Sequence, residues 1–147
     1  MPLKASTGLR TQILDTAPLR TVLNLGFVNI YSGPVPATAD AALGSAVLLT
    51  TLSNNSTVTG VTFETTAVAG VLSKRSTETW SGLNIAGGVA SFYRHVAPGD
   101  TGAVSTTAPR VQGEIAVAGS DMNMTSTTLV QGATQTQNFY TLNLPTL

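Results

Sequence analysis

Arg110-Val-Gln-Gly-Glu-Ile-Ala-Val117 is the stretch whose reading decides the fold. Val111, Gly113, Ile115 and Val117 fall on one side of a two-residue period, and Arg110, Gln112, Glu114 and Ala116 fall on the other. An extended chain turns successive side chains to opposite faces. The pattern therefore predicts a half-buried strand of an antiparallel sheet, with Val111, Ile115 and Val117 facing a core and Gln112 and Glu114 facing water.

The same period recurs outward from this stretch, starting at about Phe27. Strands are expected at 26–31, 46–52, 58–64, 69–73, 77–85, 89–96 and 121–130. A last one near Gln137–Leu144 groups Tyr140, Leu142 and Leu144 and closes at Pro145. Turn residues separate them: Ser32-Gly33-Pro34, Asn54-Asn55, Ala86-Gly87-Gly88, Pro98-Gly99-Asp100 and Gly119-Ser120-Asp121. The abundant Thr has a β-branched side chain suited to a pleated, half-exposed surface. Eight or nine short strands with frequent turns predict an all-β fold, an antiparallel β-sandwich of the jelly-roll or Greek-key kind.

Residues 1–24 follow a different period. Leu9 and Ile13 are four apart, as are Leu19 and Leu23, with Val22 three after Leu19. Ser6 or Thr7 can cap a first helical turn, and Pro18 suits the start of a second. Helices this short are marginal alone in water. The division expected is a short, partly helical N-terminal arm over 1–24 and a sandwich over 25–147. Leu9, Ile13, Leu19, Val22 and Leu23 then form a stripe that meets another chain, or else covers an open end of its own sandwich.

Composition narrows the function. The chain has 147 residues, no Cys, one His, seven Lys and Arg, and seven Asp and Glu, for a formal net charge of zero. Catalytic and metal sites gather ionisable side chains in pairs or clusters, and here the acids stand far apart in sequence. No enzyme, cofactor or metal site is expected. A basic stripe for phosphates is missing, so no nucleic-acid partner is expected. No apolar run reaches the ~18–20 residues of a membrane span, and the first residues lack a secretory core, so synthesis in the cytoplasm and no membrane partner are expected. Low charge and free strand edges favour self-association, with a dimer ahead of a trimer because two-fold symmetry is commonest.

Three sets of residues invite a sharper reading. His95, next to Arg94 and near Asp100, can be imagined in a Ser–His–Asp triad, but no Gly-x-Ser-x-Gly elbow accompanies it. A histidine at the rim of a strand is the expectation. Asp100 and Asp121 lie in turns, where carboxylates cap their own backbone more readily than they bind calcium. Trp80, Phe92, Tyr93, Phe139 and Tyr140 are expected in the core. Exposed aromatics with the amides of Gln131, Gln135 and Gln137 would instead suit a sugar-binding sandwich.

Several segments together carry a resemblance. They are Tyr31-Ser-Gly-Pro-Val-Pro-Ala-Thr-Ala-Asp-Ala-Ala42, Gly60-Val-Thr-Phe63 with Ala69-Gly-Val-Leu-Ser-Lys74, and Trp80-Ser-Gly82 followed by Ala90-Ser-Phe-Tyr-Arg94. Val111-Gln-Gly-Glu-Ile-Ala-Val-Ala-Gly-Ser-Asp-Met-Asn-Met124 and the Thr-rich end complete the set. In this order they resemble the small capsid cement, or decoration, proteins of tailed bacteriophages and prophages. The resemblance implies a virion protein on the outside of an icosahedral head, bridging subunits of the major capsid protein, with no catalytic motif. A tail-fibre, spike or glycan-binding virion module is the alternative.

Overall fold

Residues 3–143 are described by a computed structural model of the chain, and they are mostly β, in antiparallel sheets, with two short helices. A two-residue strand β1 (Lys4–Ala5) precedes helices α1 (Thr7–Asp15) and α2 (Leu19–Leu23). Then come β2 (Phe27–Ser32), β3 (Val47–Asn54), β4 (Val71–Ser73), β5 (Trp80–Leu83), β6 (Gly88–Val89) and β7 (Phe92–Val96). The last third holds β8 (Arg110–Ala116), β9 (Met122–Asn123), β10 (Thr128–Leu129), β11 (Thr134–Gln137) and β12 (Thr141–Asn143). Leu144 and Pro145, expected to close the last strand, lie outside the described residues.

One large sheet has the order β1-β8-β7-β2-β3-β5-β11, with β9 running parallel beside the end of β8. Two small pairs, β4 with β12 and β6 with β10, complete the all-β, sandwich-like architecture. Strand β3 joins two parts of the large sheet. Its residues 47–52 pair with β2, and Ser53 and Asn54 pair with Ser81 and Trp80 of β5. Gly82 allows this close packing, because a Cβ there would sit 2.1 Å from the Thr51 carbonyl oxygen.

The core lies on one face of β2, β7 and β8. Val28, Ile30, Tyr93, His95, Val111 and Ile115 are buried there, with Leu72 of β4 and Leu142 of β12 in the same apolar cluster. Phe63, Trp80 and Tyr140 fill its middle. Trp80 meets Phe63 edge-on at 5.7 Å between centroids, and Tyr93 meets Tyr140 at 5.6 Å. The indole Nε1 donates to Glu78 Oε2 at 3.0 Å, and the same carboxylate accepts from the backbone and hydroxyl of Thr62.

The reading of 110–117 holds on its apolar face and needs correction on the other. Val111 and Ile115 are buried as expected. Gln112, expected outward, is 1% exposed. Its face of the sheet is covered by the segment 34–46 and the loop 97–109, not by water. Gln112 Nε2 donates to the Pro36 carbonyl at 2.8 Å, and its Oε1 accepts from Arg94 Nε at 2.8 Å. Arg94 Nη2 reaches the Ala41 carbonyl at 2.8 Å. Glu114 is half-buried. Val117, expected inward, is 64% exposed. The strand ends at Ala116, and the chain turns through Gly119, whose φ of 74° suits a residue without Cβ.

Arg110 and Asp100 hold the covering loop. Arg110 Nε and Nη2 donate to the two Asp100 oxygens at 2.6 and 2.7 Å, and Nη1 donates to the Ala39 carbonyl at 3.2 Å. Both side chains are almost fully buried. Burial by itself raises the Asp100 carboxyl, but the hydrogen bonds from Arg110 and the Gly102 amide outweigh it and hold the group below its ordinary value.

Other expectations shift in detail. The stretch 58–64 forms only isolated bridges, Gly26 with Val61 and Phe63 with Lys74. The stretch 121–130 splits into β9 and β10, and 89–96 yields β7 with Val89 belonging to β6. Ala86-Gly87-Gly88 does not join a hairpin, since β5 pairs with β3 and β11 while Gly88 pairs with Leu129. Strand β11 has no apolar alternation, so its sequence carried no signal.

Two substitutions separate the corrected strand from the expected one. Val111→Asp should cost several kcal/mol in denaturant unfolding, because it buries a charge without a partner, whereas Val117→Asp should stay within about 0.5 kcal/mol of wild type, as exposed positions do. Asp100→Asn should cost about 3–5 kcal/mol, because it strands a buried guanidinium. Replacing the pair together, Arg110→Met with Asp100→Leu, should cost clearly less than Asp100→Asn, read by the same unfolding curves.

Candidate interaction surface

The arm is knitted into the sandwich. Ser6 caps α1 by accepting from the Leu9 amide at 3.1 Å, and the same hydroxyl donates to the Ala108 carbonyl and accepts from the Arg110 amide. Asp40 accepts from the Thr7 amide and hydroxyl at 2.8 and 2.7 Å, and the Thr7 hydroxyl bond is the main reason its carboxyl lies below the ordinary value. Strand β1 pairs with β8, and Gly8 packs so closely on the 97–109 loop that a Cβ would lie 2.2 Å from the Thr107 carbonyl oxygen.

The five residues expected to face another chain are therefore divided. Leu9 (1% exposed) and Leu23 (0%) belong to the domain's own core, which corrects their assignment to an interface. Their burial follows from the anchoring of α1 on β8 and the 97–109 loop and of the end of α2 on His95 of β7. Ile13, Leu19 and Val22 are partly buried against that core. Leu19 also lines an open, mostly apolar groove of ≈ 420 Å³ with Pro18, Thr66, Ala67, Leu72 and Leu142. Val68 is exposed in the loop that forms one wall of this groove. Leu14, not singled out by spacing, is 88% exposed on α1. The helical stripe points to Leu9 and Ile13; Leu14 lies about 100° further round the helix from Ile13 and faces solvent.

His95 is also placed differently from its expectation. It is fully buried, not at a rim, because β7 runs through the middle of the large sheet between β2 and β8. The ring stacks on Phe63 at 5.4 Å and meets Trp80 edge-on at 6.2 Å. Nε2 lies 3.1 Å from the Leu23 carbonyl oxygen, a contact that requires a proton on Nε2. Burial pushes its pKa down to about 4, against a smaller opposing effect of the Leu23 carbonyl. Among the described residues no triad forms around it: Nδ1 has no hydrogen-bond partner, and Asp100 is engaged by Arg110. Among the described residues no three His, Asp or Glu side chains gather as a metal site, and no helix is long and apolar enough to cross a membrane.

Trp80, Phe92, Tyr93 and Tyr140 are buried, as expected for packing residues. Tyr31 stacks on Phe92 at 5.0 Å on the loop-covered face. Phe139 departs from the expectation: it is 85% exposed. It stands between two shallow depressions lined by Asp121, Asn123 and Thr141 on one side and by Thr125, Gln137 and Asn138 on the other. Gln137 is itself buried and spends its amide on the Asn123 and Phe139 carbonyls.

No family model matches the chain, and no curated protein or solved structure matches it.

Deleting residues 1–22 should abolish cooperative melting, since it removes Leu9, the Ser6 cap and the strand beside β8; far-UV circular dichroism would report it. The histidine gives a pH signature. Its ordinary pKa of 6.5 applies to the unfolded chain and about 4 to the folded one, so the unfolded state binds the extra proton between these values. Stability contributed by neutral His95 is present above pH 6.5 and is lost as pH falls toward 4, by about 3 kcal/mol in total. In His95→Phe, that part of the pH slope should vanish from denaturant midpoints measured across this window.

Proposed function

We propose that the protein is a structural component of a tailed-phage virion, a cement or decoration protein that binds the outside of the icosahedral head and bridges major-capsid subunits. The reading rests on the resemblance of the ordered segments from Tyr31 to Met124. The physical observation that supports it is a sheet whose central strands are buried on both faces beside exposed apolar side chains. Strand β7 is buried at every residue, and the Arg94, Arg110 and Asp100 charges are consumed in holding loops down. Such a body is a rigid clamp whose loops can be shaped while its core stays fixed. In this reading the groove beside Leu19, with Val68 exposed in its wall loop, meets the shell, and the exposed Leu14 of α1 extends the contact. Each contact of this kind can be weak, because repeated engagement around a shell supplies avidity.

Shells assembled without the protein provide the test. Purified wild type should bind them, and Leu14→Asp with Val68→Asp should weaken binding at least tenfold while melting like wild type. Unchanged binding by that double variant would remove this surface from the contact. Electron microscopy of virions carrying a labelled protein should place the label on heads; labels on tails would overturn the head assignment.

A second reading has one observation in its favour. Phe139 stands exposed beside Asp121, Asn123 and Asn138, a combination that can stack on and hydrogen-bond to a sugar ring. As a tail-associated glycan-binding module, the protein would bind a glycan array in a manner abolished by Phe139→Ala.

A further inference from the structure

The two edges of the large sheet are finished differently. At one edge β8 is covered by β1 at Val111 and Gln112 and by β9 at Ile115 and Ala116. Both covering strands are two residues long, and β1 carries Lys4. Short strands and lysines are the usual protection of an edge against unwanted pairing. The opposite edge is β11, Thr134-Gln-Thr-Gln137, which has β5 on its inner side and, among the described residues, no strand on its outer side. It contains no charge, no proline and no irregularity of register.

The direction of its free groups follows from the ladder. In an antiparallel pair, successive residues turn their main-chain groups alternately toward and away from the partner. The Asn84 amide donates to the Ala133 carbonyl at 2.8 Å, so residues 133, 135 and 137 address β5. Thr134 and Thr136 therefore direct their N–H and C=O groups outward. The Gln135 side chain agrees with this, since its Nε2 donates to the Thr136 carbonyl at 3.2 Å from the strand's own side.

The two segments that form this edge are themselves uncharged. Neither 79–93, which contains β5, nor 122–147, which contains β11, holds an Asp, Glu, Lys, Arg or His. Leu83, Ile85 and Val130 are exposed close by, placed there by the bonds that join Asn84 to Val130 and Ala133. A charged partner would find no counter-charge here and would lose its hydration. A copy of the same surface brings no charge to desolvate and no like charges to oppose.

We infer that β11 is the pairing edge for a second copy of this chain. The register that uses both outward residues is antiparallel about a two-fold axis through Gln135. Thr134 then faces Thr136 of the second copy and the reverse, and Gln135 faces itself. The pairing forms main-chain hydrogen bonds at both threonine pairs, and Thr–Thr is a favourable cross-strand pair. Leu83, Ile85 and Val130 widen the contact beyond the four-residue strand. The inference concerns the isolated protein and stands apart from the virion reading, so either can fail alone.

The absence of native cysteine makes the test direct. Gln135→Cys should give a disulfide-linked dimer under mild oxidation, because directly opposed residues of a non-hydrogen-bonded pair bring their Cβ atoms within disulfide reach. Val104→Cys, exposed in the 97–109 loop, serves as the control and should link at least tenfold more slowly. Sedimentation of wild type at micromolar concentration should show a dimer. Thr136→Pro, which removes an outward N–H and leaves the β5 ladder intact, should weaken that dimer at least tenfold. If Thr136→Pro does not melt cooperatively, Gln135→Lys replaces it with the same expectation. A monomeric wild type, a dimer that survives the edge variant, or linking no faster than the control would each overturn the inference.

Discussion

Everything on the outer side of the sheet depends on the side chains that rise from β7 and β8 into the covering loops. Arg94, Arg110 and Gln112 stand on neighbouring strands and bind the carbonyls of Pro36, Ala39, Ala41 and Ala103. A loop without regular structure leaves carbonyls unpaired when it is buried, and three long donors supply what the sheet cannot. One carboxylate, Asp100, balances part of the charge. The desolvation of two guanidiniums means that this network adds little net stability over an apolar substitute; its effect is to fix one path for the segment 34–46. That segment in turn presents Asp40 to the N-terminus of α1, so the placement of the arm is a second consequence of the same network.

The inner side is held by contact of a different kind. Phe63, Trp80, Tyr93, His95 and Tyr140 touch one another in edge-on, tilted and stacked pairs. The histidine is the polar member that makes this cluster sensitive to acid, since its neutral form packs as an aromatic ring and its charged form has nothing opposite to it. The Leu23 carbonyl ties the ring to the end of α2, which joins the helical arm to the centre of the core.

Arg94, Arg110 and Asp100 are drawn inward while Leu14, Val68 and Phe139 are left outside, so apolar side chains form part of the surface available to partners. Its parts differ in character. The groove near Leu19 is concave and apolar, the Phe139 region pairs one ring with amides, and the β11 edge offers main-chain groups.

Local pattern in the sequence determined the fold class, most strand positions, the Ser6 cap and the start of α2 at Pro18. Each depends on a periodicity or a turn residue that acts within a few positions of itself. The pattern also marked Val111, Ile115, Tyr140 and Leu142 as inward, since alternation is a property of the strand alone. What covers the other face is not such a property. Gln112 and Arg110 look like solvent residues because their partners, Pro36, Ala39 and Asp100, are supplied by loops that carry no periodicity. Leu9 and Leu23 showed a helical stripe, but whether that stripe meets its own core or another chain depends on where β8 and the 97–109 loop lie. His95 sat beside Arg94 in sequence, yet only the strand order put it in the middle of the sheet. Strand β11, polar throughout, became a strand through its ladder with β5, and no side-chain pattern announces a hydrogen-bond partner some fifty residues away.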